Sequence, residues 1–155
     1  PCLGICYGHQ LLAKAMGGQV GPNPRGREIG TVTVDFANAH NDPLLGFLGS
    51  QARAQTSHVE SVLERPPGAI GLGSTPLDPH HVFSVGGCAW GVQFHPEFDA
   101  DVMRGYIRGR RQALVEESLD PAALLESVEE AATASRLIAR FGDLCRAREA
   151  ASKRG

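Results

Sequence analysis

Gly4-Ile5-Cys6-Tyr7-Gly8-His9-Gln10 is the stretch on which the reading of this chain turns. Upstream of the cysteine, Pro1-Cys2-Leu3-Gly4-Ile5 is apolar and reads as the end of a buried strand. Downstream, residues 8–18 read as a short helix: Leu11, Leu12, Ala15 and Met16 recur at helical spacing, and Gly17-Gly18 supplies a stop. A cysteine at a strand-to-helix junction, with glycine two residues away on either side, predicts a sharp turn that lifts the thiol above the end of the sheet. Small neighbours relieve crowding around strained backbone. A helix N-terminus behind the sulfur favours thiolate over thiol, and the backbone N–H of Tyr7 is the natural first donor to a developing oxyanion. The competing reading of these residues is a buried structural cysteine.

A second stretch supplies chemistry to match. In Gly91-Val92-Gln93-Phe94-His95-Pro96-Glu97 a strand ends at Phe94, and His95 emerges from its tip ahead of a proline that stops the ladder. Glu97 is near enough to accept a hydrogen bond from one ring nitrogen, fixing the tautomer and leaving the other to take a thiol proton. Cysteine, histidine and an acidic orienter are the parts needed for acyl transfer through a thioester. His40, His80 and His81 lie in polar segments and are expected to be solvated. His9, on the first helical turn, is explained by packing or surface exposure.

The rest of the chain frames these stretches. Residues 21–27 are a loop rich in Pro and Gly; 29–36 alternate as a strand; Asn41-Asp42-Pro43 starts a helical turn; 51–56 form a strand running into Ser57-His58. Strands at 69–74, 81–85 and 88–94 follow, the last two joined by a hairpin at Gly86-Gly87. Asp99 caps a helix over 100–117, and Pro121 opens a second long helical stretch with Gly142 as its weak point. The pattern predicts an α/β domain around a mixed sheet, with a helical C-terminal tail. Because a buried parallel strand needs neighbours on both sides, and residue 1 is proline, the domain is expected to be truncated at its N-terminus.

At 155 residues the chain supports one domain, and a formal net charge of −2 argues against a nucleic-acid-binding surface. No apolar run approaches the roughly 20 residues of a membrane span, so no membrane association is expected. Cys2, Cys6, Cys88 and Cys145 show neither C-x-x-C nor any paired metal-ligand spacing. The expectation is therefore reduced thiols, no metal, no cofactor and a cytoplasmic location. No P-loop appears, so an acceptor would be activated by ATP elsewhere.

Together the two stretches resemble the nucleophile elbow and the His-Pro-Glu segment of class I (triad-type) glutamine amidotransferases, and the wider likeness is to stand-alone GMP-synthase-like members. The resemblance spans roughly residues 1 to 115. It implies a flavodoxin-like three-layer sandwich with a mixed, largely parallel central sheet. It implies release of ammonia from glutamine through a γ-glutamyl thioester, with Cys6 as nucleophile, His95 as general acid/base and Glu97 as its orienter. Gln10 would contact the bound glutamine, and Tyr7 would donate to the oxyanion. Thr56-Ser57-His58-Val59-Glu60-Ser61-Val62 is similar to the segment that closes over the substrate in GMP synthase amidotransferase domains, which makes Ser57 and His58 substrate-side candidates. A second oxyanion donor comes, in the family, from a glycine-rich loop upstream of anything in this chain, which leaves the activity of this truncated chain open. Ammonia would pass to a synthetase partner or domain. On this reading residues 1–117 are the amidotransferase domain and 118–155 a helical extension. The alternatives are a γ-glutamyl hydrolase or peptidase using the same triad, and a non-catalytic regulatory or truncated domain.

Overall fold

The parallel pairing of β1 (Cys2–Ile5) on β8 (Ala89–Val92) organises the molecule, because it lays the two motif-bearing strands side by side. The computed structural model describes residues 1–36 and 38–153. Beyond β8 the sheet continues through β7 (Val82–Val85) to β6 (Ile70–Gly73), in the order β1-β8-β7-β6. Both of those pairings are antiparallel, β7 to β8 being the expected hairpin, with Gly86 and Gly87 at φ of 62° and 66°. The sheet is thus mixed, as expected, but β1–β8 is its one parallel pair among the described residues.

Two antiparallel ribbons flank it. β3 (Glu28–Asp35) pairs with β4 (Gln51–His58) along its full length, and β2 (Gln19–Pro22) pairs with β5 (Glu60–Glu64). The second ribbon was not legible in the sequence: β2 falls in what reads as a Pro/Gly loop, and β5 in the segment likened to a substrate-closing stretch. α1 (Tyr7–Ala15) packs back on β1 and β8 and buries Ala13, and at its end the Met16 and Gly18 N–H groups donate to the Leu12 and Ala13 carbonyls, where the stop is expected.

The principal core lies between the sheet and the β3–β4 ribbon and contains Val34, Phe36, Leu44, Leu45, Trp90, Val92 and Phe94. Ala131, Ala134 and Leu137 from the C-terminal segment belong to that same core, so the tail is packed on it. Asp99 caps α2 (Ala100–Gly109), its Oδ1 accepting the Val102 N–H at 2.8 Å. The single helix expected over 100–117 is divided at Arg110 into α2 and α3 (Arg111–Glu116). The long stretch after Pro121 is likewise divided, into α4 (Pro121–Glu126), α5 (Ala132–Ser135) and α6 (Leu137–Ser152). α6 runs unbroken through Gly142. The break falls instead around Glu129, where tertiary bonds take over the backbone. Glu129 N–H donates to Thr31 Oγ1 at 3.0 Å, and its carbonyl accepts from Gln55 Nε2 at 2.8 Å. No helix among the described residues is long and apolar enough to cross a membrane.

The elbow itself has a definite steric requirement. A Cβ on Gly4 would lie 2.4 Å from the carbonyl oxygen of Gly8 and 2.9 Å from the His9 nitrogen, because α1 starts directly over the end of β1. A Cβ on Gly8 would meet nothing within 4 Å. Only the first of the two glycines is therefore demanded by close approach. Gly4→Ala is expected to lower stability by roughly 1–3 kcal/mol through overpacking, whereas Gly8→Ala should leave the melting temperature almost unchanged. Thermal unfolding of the two variants beside the parent chain checks this, and equal losses would contradict it.

Candidate active site

Cys6 joins β1 to α1 at φ 48° and ψ −102°. For a residue other than glycine a positive φ costs of the order of 1–3 kcal/mol and is held only where surrounding structure imposes it. The imposing contacts are visible. Cys6 N–H donates to the Val92 carbonyl at 2.9 Å, extending the β1–β8 ladder by one bond, and the Cys6 carbonyl accepts the Gln10 N–H at 3.2 Å as the helix begins. The side chain is left half-buried at the N-terminal end of α1. Tyr7 is the first residue of that helix, so its N–H has no intrahelical partner.

β8 delivers the second group. Past Val92 the chain continues through Gln93 and Phe94 to His95, whose N–H donates to the Gln55 carbonyl within β4 (2.7 Å). The His95 Nδ1 lies 2.7 Å from Glu97 Oε1, and the ring is close enough to the Cys6 side chain for the two to interact electrostatically. Phe98 stacks flat on the imidazole at 4.1 Å and an interplanar angle of 10°, and is itself backed by Tyr106. Half-burial alone would lower the His95 pKa; the interactions with Cys6 and Glu97 outweigh it and raise it to about 9. Burial pushes the Glu97 carboxyl upward, but its bond to His95 prevails and holds it below the usual carboxylate range. A thiol on strained backbone, an imidazole that stays protonated at neutral pH and a carboxylate behind the ring can together carry acyl transfer through sulfur.

A buried glutamine that the sequence reading passed over completes the surroundings of the sulfur. The Glu60 carbonyl, which can only accept, takes Gln10 Nε2 at 2.8 Å. Gln10 Nε2 also donates to Gln93 Oε1 at 3.1 Å, which turns the Gln93 amide so that its Nε2 donates to Cys6 Sγ at 3.4 Å. One carbonyl thereby fixes two amides and presents an N–H to the sulfur. Gln93 is fully buried. Its only signal in the sequence is a polar residue inside an otherwise apolar strand end.

The remaining expected residues fall differently. Gln10 is nearly buried, with its amide nitrogen committed to these internal bonds. Ser57 is half-buried near the end of β4. His58, the other substrate-side candidate, is buried, with Nδ1 against the Glu60 carbonyl at 2.8 Å and Nε2 against Glu28 Oε2 at 3.0 Å. His81, expected to be solvated, is fully buried beside Asp78, whereas His40 is exposed as expected. His9 is fully buried over Gly91 and Phe83, and burial pushes its pKa down to about 3, so it is a neutral packing residue.

The fold thus defines an α/β protein that presents a cysteine on a strand-to-helix elbow. Residues 1–108 match the family described as Glutamine amidotransferase class-I, and the chain belongs to that family. A GMP synthase [glutamine-hydrolyzing] of Aeropyrum pernix is 46% identical over 98 residues, covering 63% of this chain and 18% of that protein. Gamma-glutamyl peptidase 3 of Arabidopsis thaliana is 31% identical over 106 residues, covering 65% of this chain and 42% of that protein. The crystal structure of a glutamine amidotransferase from Thermotoga maritima superposes with a TM-score of 0.65 at 29% identity, over 92% of this chain and 58% of that one. The chain therefore spans well under two thirds of the length of these relatives.

Replacing Gln93 by leucine removes the N–H at sulfur while keeping similar bulk. A donor at sulfur favours thiolate over thiol, so alkylation of Cys6 by iodoacetamide at neutral pH should slow by roughly two- to tenfold in Gln93→Leu. Unchanged alkylation kinetics would contradict this role.

Proposed function

We propose that this chain hydrolyses glutamine to glutamate and ammonia through a γ-glutamyl thioester on Cys6. The single observation that carries this reading is the imidazole of His95, held at 2.7 Å by Glu97 and brought by β8 beside the strained elbow of Cys6. The Cys6 thiolate attacks the side-chain carbonyl carbon of glutamine, forming a C–S bond and moving charge to the carbonyl oxygen beside the Tyr7 N–H. Collapse of that intermediate expels the amide nitrogen, which takes the proton of His95 and leaves as ammonia. Water then attacks the thioester while His95 accepts its proton; the C–S bond breaks, and glutamate departs. Of the two substrate-side candidates, Ser57 and His58, Ser57 is the more exposed, and Gln10 acts by holding Gln93.

The amidotransferase portion is assigned to residues 1–117 and the helical extension to 118–155. Kinship with a GMP synthase supports an ammonia acceptor on a synthetase partner or domain. Four free cysteines support a cytoplasmic setting. The likeness to a γ-glutamyl peptidase favours one second reading, cleavage of γ-glutamyl peptides at the same sulfur.

Labelling with a chloroketone analogue of glutamine tests the proposal. The expected result is one adduct per chain, on Cys6, and none in Cys6→Ala, together with ammonia release that falls to background in the variant. A folded protein that takes no label would refute it, and faster cleavage of γ-glutamyl dipeptides than of glutamine would favour the second reading.

The pH profile supplies a further check. His95 acts as the acid that protonates departing nitrogen, so kcat/KM should be sustained up to about pH 9 and fall as the imidazolium deprotonates. Glu97→Gln removes one of the groups that raise His95, so the alkaline limb should move to lower pH. A limb that stays in place would show that Glu97 does not act through the ring.

A further inference from the structure

Behind the candidate active site, four buried residues with metal-ligating atoms converge from three parts of the chain. Glu28 and His58 are register partners on β3 and β4, and His58 Nε2 lies 3.0 Å from Glu28 Oε2. His81, just before β7, places Nδ1 3.5 Å from the same Glu28 oxygen and 3.3 Å from Oδ2 of Asp78. One ligand atom from each of Glu28, His58 and His81 lies within 4.8 Å of the others. All four side chains are buried, Asp78 and His81 completely.

The hydrogen-bond roles are constrained. His58 Nδ1 is 2.8 Å from the Glu60 carbonyl, which has no hydrogen to give, so the hydrogen belongs to Nδ1. In neutral imidazole, Nε2 then carries a lone pair, and it faces a carboxylate oxygen at 3.0 Å. Two lone pairs at that distance require a positive charge between them, either a proton or a metal ion. His81 Nδ1 lies 3.5 Å from Glu28 Oε2 and 3.3 Å from Asp78 Oδ2. Its Nε2 is buried with no hydrogen-bond partner, so nothing on that side fixes its tautomer.

The far side of each carboxylate is also held. Glu28 Oε1 accepts the Thr75 hydroxyl at 2.6 Å, and Asp78 Oδ1 accepts the His80 N–H at 2.9 Å. An imidazole whose second nitrogen donates to a backbone carbonyl, and carboxylates whose second oxygens are bonded, form the outer support typical of protein-bound metals. Bonds of about 2.0–2.1 Å in a tetrahedron put ligand atoms roughly 3.3–3.4 Å apart. The two separations from Glu28 Oε2, 3.0 Å to His58 Nε2 and 3.5 Å to His81 Nδ1, bracket that value.

We propose that Glu28, His58 and His81 form a structural site for a divalent transition metal of the zinc type, a donor set of two imidazoles and a carboxylate that suits that class, with Asp78 packed against His81 beside it. The ion would tie the β3–β4 ribbon to the segment before β7. The Glu60 carbonyl that orients His58 also orients Gln10, and through Gln10 and Gln93 the site reaches Cys6. The proposal does not depend on the hydrolytic reading.

Zinc content, cobalt spectroscopy and thermal unfolding test it on the whole chain. Protein purified without chelator should retain about one zinc per chain through gel filtration, and chelator-treated protein should unfold at lower temperature and recover on adding zinc alone. Cobalt(II) in place of zinc should give the intense visible bands of a four-coordinate centre without a sulfur-to-cobalt charge-transfer band. His81→Gln and Glu28→Gln should each abolish zinc retention and the zinc-dependent shift. Absence of retained zinc with no melting shift would overturn the proposal in favour of a proton-bridged cluster. A sulfur-to-cobalt band, or zinc retention unchanged in both variants, would place the metal elsewhere and overturn it too. Should a variant fail to fold, the cobalt spectrum of the parent chain decides.

Discussion

Register between β1 and β8 is the constraint on which the rest depends. With Ile5 opposite Val92, the next residue on one strand is Cys6, bonded through its N–H to the Val92 carbonyl, and the other strand needs only Gln93 and Phe94 before it reaches His95. Side chains alternate faces along a strand, so a slip of one residue would turn Gln93 away from the sulfur and carry the imidazole off its line. The register is specified by burial on both faces: Trp90 and Val92 enter the principal core, and Gly91 admits His9 against Phe83. The close crossing at Gly4 then leaves the chain one way to turn into α1.

Around this register the polar groups form a directional chain. A single backbone carbonyl, that of Glu60 in β5, is shared by Gln10 and His58. On one side it orders two amides and delivers an N–H to sulfur; on the other it orders the imidazole that meets Glu28. Buried polar groups are costly unless every member is satisfied, and here satisfaction of one side depends on the placement of β5. A short ribbon that contributes little to the apolar core is therefore central to the chemistry of the cleft.

How much of this the residues reveal in one dimension varies with the range of the forces involved. The elbow, His95, Glu97, the hairpin at Gly86-Gly87 and the cap at Asp99 follow from local rules, since turn geometry and capping involve neighbours in sequence. The mixed α/β architecture was legible for the same reason. The break near Glu129 was not, because Thr31 and Gln55 supply its hydrogen bonds from far along the chain. Gln93 gave no motif, as its role arises only after Gln10 and Glu60 are brought beside it. The buried set of Glu28, His58, Asp78 and His81 is scattered in sequence and has no ligand spacing to recognise, so polar flanking residues suggested exposure for His81 when the fold buries it.

The side-chain nitrogens of His95, followed by NMR across a pH titration, test most directly whether the two strands deliver imidazole to sulfur as described. The expected result is a ring that remains protonated through neutrality and titrates near 9 in the parent chain, moving clearly downward when Cys6 is replaced by alanine. A ring that titrates near the ordinary histidine value of about 6.5, and does so whether or not the sulfur is present, would contradict it.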